Sequence, residues 1–95
     1  MPRDQHTDIL EGDEYEELTD GPVGGAFSFQ ILSGRIELVG TTDATQPPRT
    51  KKGFVVDDLY GDFSTTLDKL FPSGGKTRLW GRAVEFQSEY WIDHA

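Results

Sequence analysis

The chain has 95 residues, with eleven glycines, five prolines and no cysteine, so it is one domain at most. It can bury roughly 60 to 68% of the surface its unfolded form exposes, without help from a disulfide. Its net charge of −8 disfavours a nucleic-acid ligand, since phosphate contacts need a basic face. The missing cysteines remove thiol nucleophiles and thiolate zinc sites, and one Met with two His leaves little for a transition-metal site, so no cofactor is expected.

Eight of the seventeen acids crowd into the first twenty residues (Asp4, Asp8, Glu11, Asp13, Glu14, Glu16, Glu17 and Asp20) against Arg3, so the remainder is nearly neutral. Gly12 interrupts any helix there, and neighbouring carboxylates repel. Residues 1–25 are therefore predicted to be an acidic extended arm ending in the hinge Gly21-Pro22-Val23-Gly24-Gly25, with one β-rich domain over 26–95. The arm's substantial apolar side chains, Ile9, Leu10, Tyr15 and Leu18, are the ones expected to hold a neighbouring subunit. The competing reading is a solvated acidic tail. Met1-Pro2-Arg3-Asp4 is unlike a signal peptide, and no apolar run reaches the roughly 20 residues of a membrane span; synthesis in the cytoplasm and no membrane partner are expected.

Phe27, Phe29 and Ile31 alternate with Ser28 and Gln30 as in a half-buried strand, and Ile36 and Leu38 continue the pattern after Ser33-Gly34. That dipeptide is predicted to close a tight hairpin, or else to mark a bulge in one continuous strand. Residues 40–53 form a long polar loop whose Arg49, Lys51 and Lys52 oppose the arm in sign. Gly53 to Asp57 is a short strand, and Asp58 to Asp62 a turn. Phe63, Leu67, Leu70 and Phe71 fit helical spacing with Asp62 as N-cap, while Phe63, Thr65, Leu67 and Phe71 fit a strand. A helical turn near 66–71 is expected, stopped by Pro72.

From Lys76 to Val84 a strand would place Thr77, Leu79, Gly81 and Ala83 on one face and Arg78, Trp80 and Arg82 on the other. Trp and Arg are enriched in interface hot spots, so the second face is a candidate partner contact; a tryptophan covered by its own arginines is the plain alternative. Glu85 to Ser88 reads as a link, and Glu89 to Asp93 as the last strand, with Tyr90 and Ile92 inward and Trp91 outward. Trp91 would join Trp80 on one surface if the two strands pair.

No catalytic set emerges. Ser73-Gly74-Gly75-Lys76-Thr77 ends like a phosphate loop, but Leu70 stands where that motif needs glycine, and a strand follows where it needs a helix. Asp57, Asp58 and Asp62 lack the spacing of a calcium loop and suit turns. His6 in the arm and His94 beside the C-terminus are expected to be too loosely held for general-base work.

Leu79-Trp80-Gly81-Arg82-Ala83-Val84 followed by Tyr90-Trp91-Ile92-Asp93-His94-Ala95, within residues 66–95, resembles the ending of small bacteriophage virion proteins. The acidic arm departs from that pattern. The resemblance implies a non-enzymatic structural role, as capsid decoration, cement or head or tail appendage, often as a symmetric homo-oligomer on a major capsid protein or other virion subunit. Together with the strand pattern, it leads to a small antiparallel β-sandwich or barrel-like fold bearing an N-terminal arm. Ile9, Leu10, Tyr15, Leu18, Arg78, Trp80, Arg82 and Trp91 are its expected partner contacts. Two other functions fit the composition: an acidic DNA-mimic inhibitor, and a carbohydrate-binding module using Trp80 and Trp91.

Overall fold

The computed structural model describes residues 2–58, 61–84 and 87–95, with the backbone alone at 62 and 63. Its elements are β1 (Arg3–Glu11), β2 (Glu16–Glu17), β3 (Phe27–Ser33), β4 (Arg35–Thr41), β5 (Phe54–Asp57), β6 (Gly61–Thr65), α1 (Leu67–Leu70), β7 (Arg78–Ala83) and β8 (Gln87–His94). They build two antiparallel four-stranded sheets, sheet I in the order β1-β8-β3-β6 and sheet II in the order β2-β7-β4-β5. This is the small β-sandwich that the alternating sequence predicts. Phe27, Phe29 and Ile31 of β3 meet Ile36 and Leu38 of β4, Leu79 and Ala83 of β7, and Tyr90 and Ile92 of β8 in one buried core. Gly81 faces inward among them because a Cβ there would lie 2.9 Å from Ile36 Cγ2 and 3.1 Å from Leu18 Cδ1.

Consecutive strands take matching positions in the two sheets: β1 with β2, β8 with β7, β3 with β4 and β6 with β5. Each strand thus has its counterpart, next to it in the sequence, at the same position of the other sheet. Ser33-Gly34 is a crossing between the sheets, which corrects the predicted hairpin, since β3 pairs with β8 and β6 while β4 pairs with β7 and β5. Gly34 has a φ of 79°, and a Cβ on it would collide with Ser88, so glycine alone turns this corner without strain.

The predicted arm is also corrected. Residues 3–11 are an edge strand of sheet I, paired with β8 from Arg3 opposite His94, through a register shift before His6, and then in register to Glu11 opposite Gln87. Residues 16–17 add to sheet II beside β7, and the Leu18 N–H donates to the Leu79 carbonyl at 2.8 Å. Leu10, Leu18 and Val23 lie in the common core. Backbone pairing, which composition does not report, turns a polar stretch into strand: the two edges supply hydrogen-bond partners, and a few apolar side chains suffice to fix the register. Residues on both sides of position 25 thus share the same two sheets and the same core.

Both readings of the 63–71 stretch are realised in succession. β6 runs to Thr65, then α1 follows, with Thr66 rather than Asp62 as its N-cap, accepting from the Lys69 N–H at 3.2 Å. His94, expected to be loosely held, is 3% exposed, and its Nε2 accepts a hydrogen bond from the Asp20 N–H at 3.0 Å. The side chain of Phe63, the turn at 59–60 and the link at 85–86 lie outside the described residues. No helix among the described residues is long and apolar enough to cross a membrane.

Candidate interaction surface

Strand alternation places Arg78, Trp80 and Arg82 on the outer face of sheet II, as predicted, but the chain itself covers that face around Trp80, leaving Val55 of β5 50% exposed at its edge. Trp80 is 6% exposed, packs with Tyr15 and Val39 in a second small core, and donates its indole N–H to Thr41 Oγ1 at 2.8 Å. Arg82 Nε donates to Glu37 Oε1 at 2.8 Å, while its terminal nitrogens reach the carbonyls of Asp13, Arg49 and Lys51 at 3.1, 2.7 and 3.3 Å. Its guanidinium lies 4.3 Å from the Tyr15 ring centroid, a cation–π contact. The Tyr15 hydroxyl donates to the Lys51 carbonyl at 2.7 Å, and Gln46 Nε2 donates to the Tyr15 carbonyl at 2.7 Å. Arg78 binds both carboxylate oxygens of Glu17, at 3.1 and 3.2 Å.

The covering layer is thus two segments remote in sequence, residues 13–17 and the 42–53 loop, pinned to β7 and to each other. Arg49 joins them through Asp13 at 3.4 Å and Glu14 at 2.8 Å. The opposite signs of arm and loop are satisfied inside one chain. Burial works to raise the pKa of Glu37, but the Gly53 N–H, the Arg82 hydrogen bond and charge, and the Lys52 charge outweigh it, holding the carboxyl below its usual range. Tyr15 titrates above the usual phenol range, because burial and the nearby Glu37 charge oppose ionisation more than Arg82 favours it.

The β1–β2 edge carries a cluster of one sign. Burial, then the charges of Asp8, Glu11 and Glu14, raise the pKa of Glu16. The same edge turns His6 towards Tyr90, ring centroids 6.1 Å apart, and burial pushes the Tyr90 hydroxyl up to about 12.

The outer face of sheet I is different. Trp91 stands half-exposed opposite Thr7 of β1 and Gln30 of β3. Ile9 shares this face, since it pairs with Glu89, two residues before Trp91. Leu32 follows at the bulge in β3; Ile9 is 45% and Leu32 40% exposed. Two large apolar side chains here meet solvent beside a partly buried tryptophan, framed by Thr7, Gln30, Glu89 and Asp93.

Of the eight partner contacts expected from sequence, Leu10, Tyr15 and Leu18 are instead buried, at 2%, 1% and 0% exposure, as parts of the chain's own cores. Arg78, Trp80 and Arg82 hold the covering layer, in which Trp80 packs with Tyr15 and Val39 and the Arg82 guanidinium lies over Tyr15. Ile9 is exposed and Trp91 partly buried, and the two are brought to one face from opposite ends of the chain. Trp80 and Trp91 do not share a surface, because β7 and β8 lie in different sheets; the paired-tryptophan carbohydrate platform is corrected accordingly. Leu32 was missed, although its place two residues after Gln30 in the alternation marks it as outward. Glu37, the hub carboxylate, carries the same signal: it is an outward position of a strand beside β7. Among the described residues no group of three or more His, Asp or Glu is placed to hold a metal ion. No protein-family model, curated protein or solved structure matches this chain.

Proposed function

We propose that this chain is a non-enzymatic structural protein of a bacteriophage virion, a capsid decoration, cement or appendage subunit that docks on a neighbouring virion subunit through the outer face of sheet I. The observation that carries it is the convergence of exposed Ile9 and Leu32 with partly buried Trp91 on the outer face of sheet I, while the opposite face is covered by the chain's own segments around Trp80 and leaves Val55 open at its β5 edge. An apolar centre with a tryptophan inside a polar rim has the anatomy of a protein contact. The resemblance of residues 66–95 to small virion proteins supplies the setting. Association into a homo-oligomer would use the same face.

Substituting Trp91→Ser with Ile9→Ser tests it, because both positions face outward and the fold should survive. Wild-type protein should co-sediment with assembled particles, and the folded variant should stay in the supernatant. Equal pelleting of the two would sink the assignment of this face.

One observation favours a second reading, an acidic inhibitor that mimics DNA. Asp8, Glu11, Glu14 and Glu16 sit on a strand edge of the fold, close enough for their charges to act on one another. A rigid carboxylate array is what such mimicry requires. Competition with double-stranded DNA on host nucleases separates the readings: displacement that disappears on Asp8→Asn, Glu11→Gln and Glu16→Gln would favour the mimic, and a virion subunit should displace nothing.

A further inference from the structure

A pocket of about 330 Å³ opens beside the start of β5, between the end of the 42–53 loop and the turn after α1. Its apolar lining includes Val39, Phe54 and Phe71, with the two phenyl rings 5.5 Å apart and tilted by 56°. Lys51, Lys52 and Lys76 also line it, together with Ser73. In a chain of net charge −8 three lysines line one pocket; Glu37 adjoins it, bound to Gly53 and acted on by the Lys52 charge, but is paired with Arg82, as Arg49 and Arg78 are paired with other carboxylates.

The pocket is built into the fold. Gly40 lets Phe71 and Lys76 lie against the β4 backbone, since a Cβ there would come within 2.8 Å of the Phe71 ring and 2.9 Å of Lys76 Cγ. Gly53 lets the loop close onto β4, because a Cβ on it would collide with the Leu38 carbonyl. Loop position is then fixed from the other side. The Lys51 carbonyl accepts from Tyr15 and Arg82, and the Gly53 N–H donates to Glu37 Oε2 at 2.7 Å. Lys51 and Lys52 are therefore held at the mouth by backbone bonds on both flanks, although their own side chains are exposed.

We infer that this pocket binds an acidic peptide segment of a partner protein, one apolar side chain packing against the contacting Phe54–Phe71 ring pair while an adjacent carboxylate meets the lysines. The volume fits one side chain with its carboxylate neighbour. Lysine ammoniums act as point charges and suit a single carboxylate without demanding the planar geometry an arginine fork imposes. A polyanion such as nucleic acid would meet the repulsion of the whole acidic surface, whereas a single anionic group inside the pocket feels chiefly the three adjacent cations. The pocket stands apart from the Ile9–Trp91 face, so its occupancy is independent of the docking proposed above. If both sites are used, one small module contacts two neighbours, as a cement subunit must.

The test is a titration of the intact 95-residue protein, followed by backbone amide shifts, with a capped phenylalanyl-glutamate dipeptide, its phenylalanyl-glutamine counterpart and inorganic phosphate. The glutamate peptide should shift amides at 52–54 and 71–76, and bind about tenfold more tightly than the glutamine control. The folded variant Lys52→Met with Lys76→Met should lose at least about tenfold, and raised salt should weaken wild-type binding. Absence of shifts at about 10 mM peptide, equal binding of the two peptides, or indifference to the lysine substitutions would overturn the inference. Tighter binding of phosphate than of the peptide would overturn it in favour of an inorganic-anion site. Particle co-sedimentation of the same lysine variant reports separately on the sheet I face.

Discussion

On sheet II, Trp80 lies 6% exposed beneath Tyr15, and Arg82 spends its donors on Glu37 and on three carbonyls of the covering segments. On sheet I, Trp91 stands half-exposed between Thr7 and Gln30, and Ile9 and Leu32 beside it meet solvent. Both faces offer an outward tryptophan on a central strand flanked by polar neighbours. What separates them is what the rest of the chain lays on top. A cation-rich stripe attracts the chain's own carboxylates and loop carbonyls, and its hydrogen-bonding capacity is then used internally. An apolar patch without such donors has nothing to pin a loop with, and it stays available to another molecule.

The largest effect that would break this contrast is removal of residues 2–20. Those residues are strands of both sheets and place Leu10, Tyr15 and Leu18 in the cores. The truncated chain should lose its cooperative thermal transition; a folded remainder would mean that β1 and β2 are dispensable. Within that segment, Leu18→Ala should cost about 2–5 kcal/mol in denaturant unfolding, because Leu18 is fully buried against Gly81.

Next comes Arg82→Ala, which leaves Glu37 without its cation at a site where both side chains are about 11–12% exposed. Breaking a buried pair from one side costs about 3–5 kcal/mol. Faster amide exchange should appear across residues 46–53, whose anchor is lost. If stability and loop exchange stay at wild-type values, Arg82 is not what closes this face. Trp91→Ser should instead cost less than Arg82→Ala, about 1–3 kcal/mol, since the side chain is partly buried on the outer face and outside both cores, while removing association. Arg49→Ala, whose guanidinium is 62% exposed, should cost about 0–1 kcal/mol.

Two carboxylates on the N-terminal and β4 strands give opposite pH dependences. Glu37 has its folded-state pKa lowered from 4.5, so the stability it contributes is present above that value and is lost as pH falls through the lowered one. Glu16 has its folded-state pKa raised from 4.5, so the folded form takes up a proton more readily and stability increases as pH falls towards 4.5. Glu16→Gln should therefore raise stability at pH 7 by about 0.5 kcal/mol or less and match wild type near pH 4. Thermal melts at the two pH values check the sign.

The strand content, the inward set of Phe27 to Ile31, and the two faces of β7 were legible because strand alternation is a local property. The fate of the acidic stretch was not. Its edge pairing with β8 is set by backbone groups that every residue carries, and only Leu10 and Leu18 give a faint sign of burial. Ser33-Gly34 was likewise open to two interpretations, a hairpin or a bulge in one continuous strand, and a glycine with positive φ also serves the sheet crossing that is found. Trp80 and Trp91 could not be sorted by sequence either, because each is an outward aromatic on a strand and only the sheet order places them on opposite sides of the sandwich. The lysine pocket joins residues 51–52 to residue 76, and that proximity exists only once α1 and its turn fold back onto β4.

The contrast between the faces is tested most directly by oxidative surface labelling of the two tryptophans, read by mass spectrometry in the free protein and in assembled particles. Trp91 should be modified readily in the free protein and protected on assembly, whereas Trp80 should resist labelling in both. Modification of Trp80 in the free protein, or a Trp91 that labels equally before and after assembly, would contradict the account.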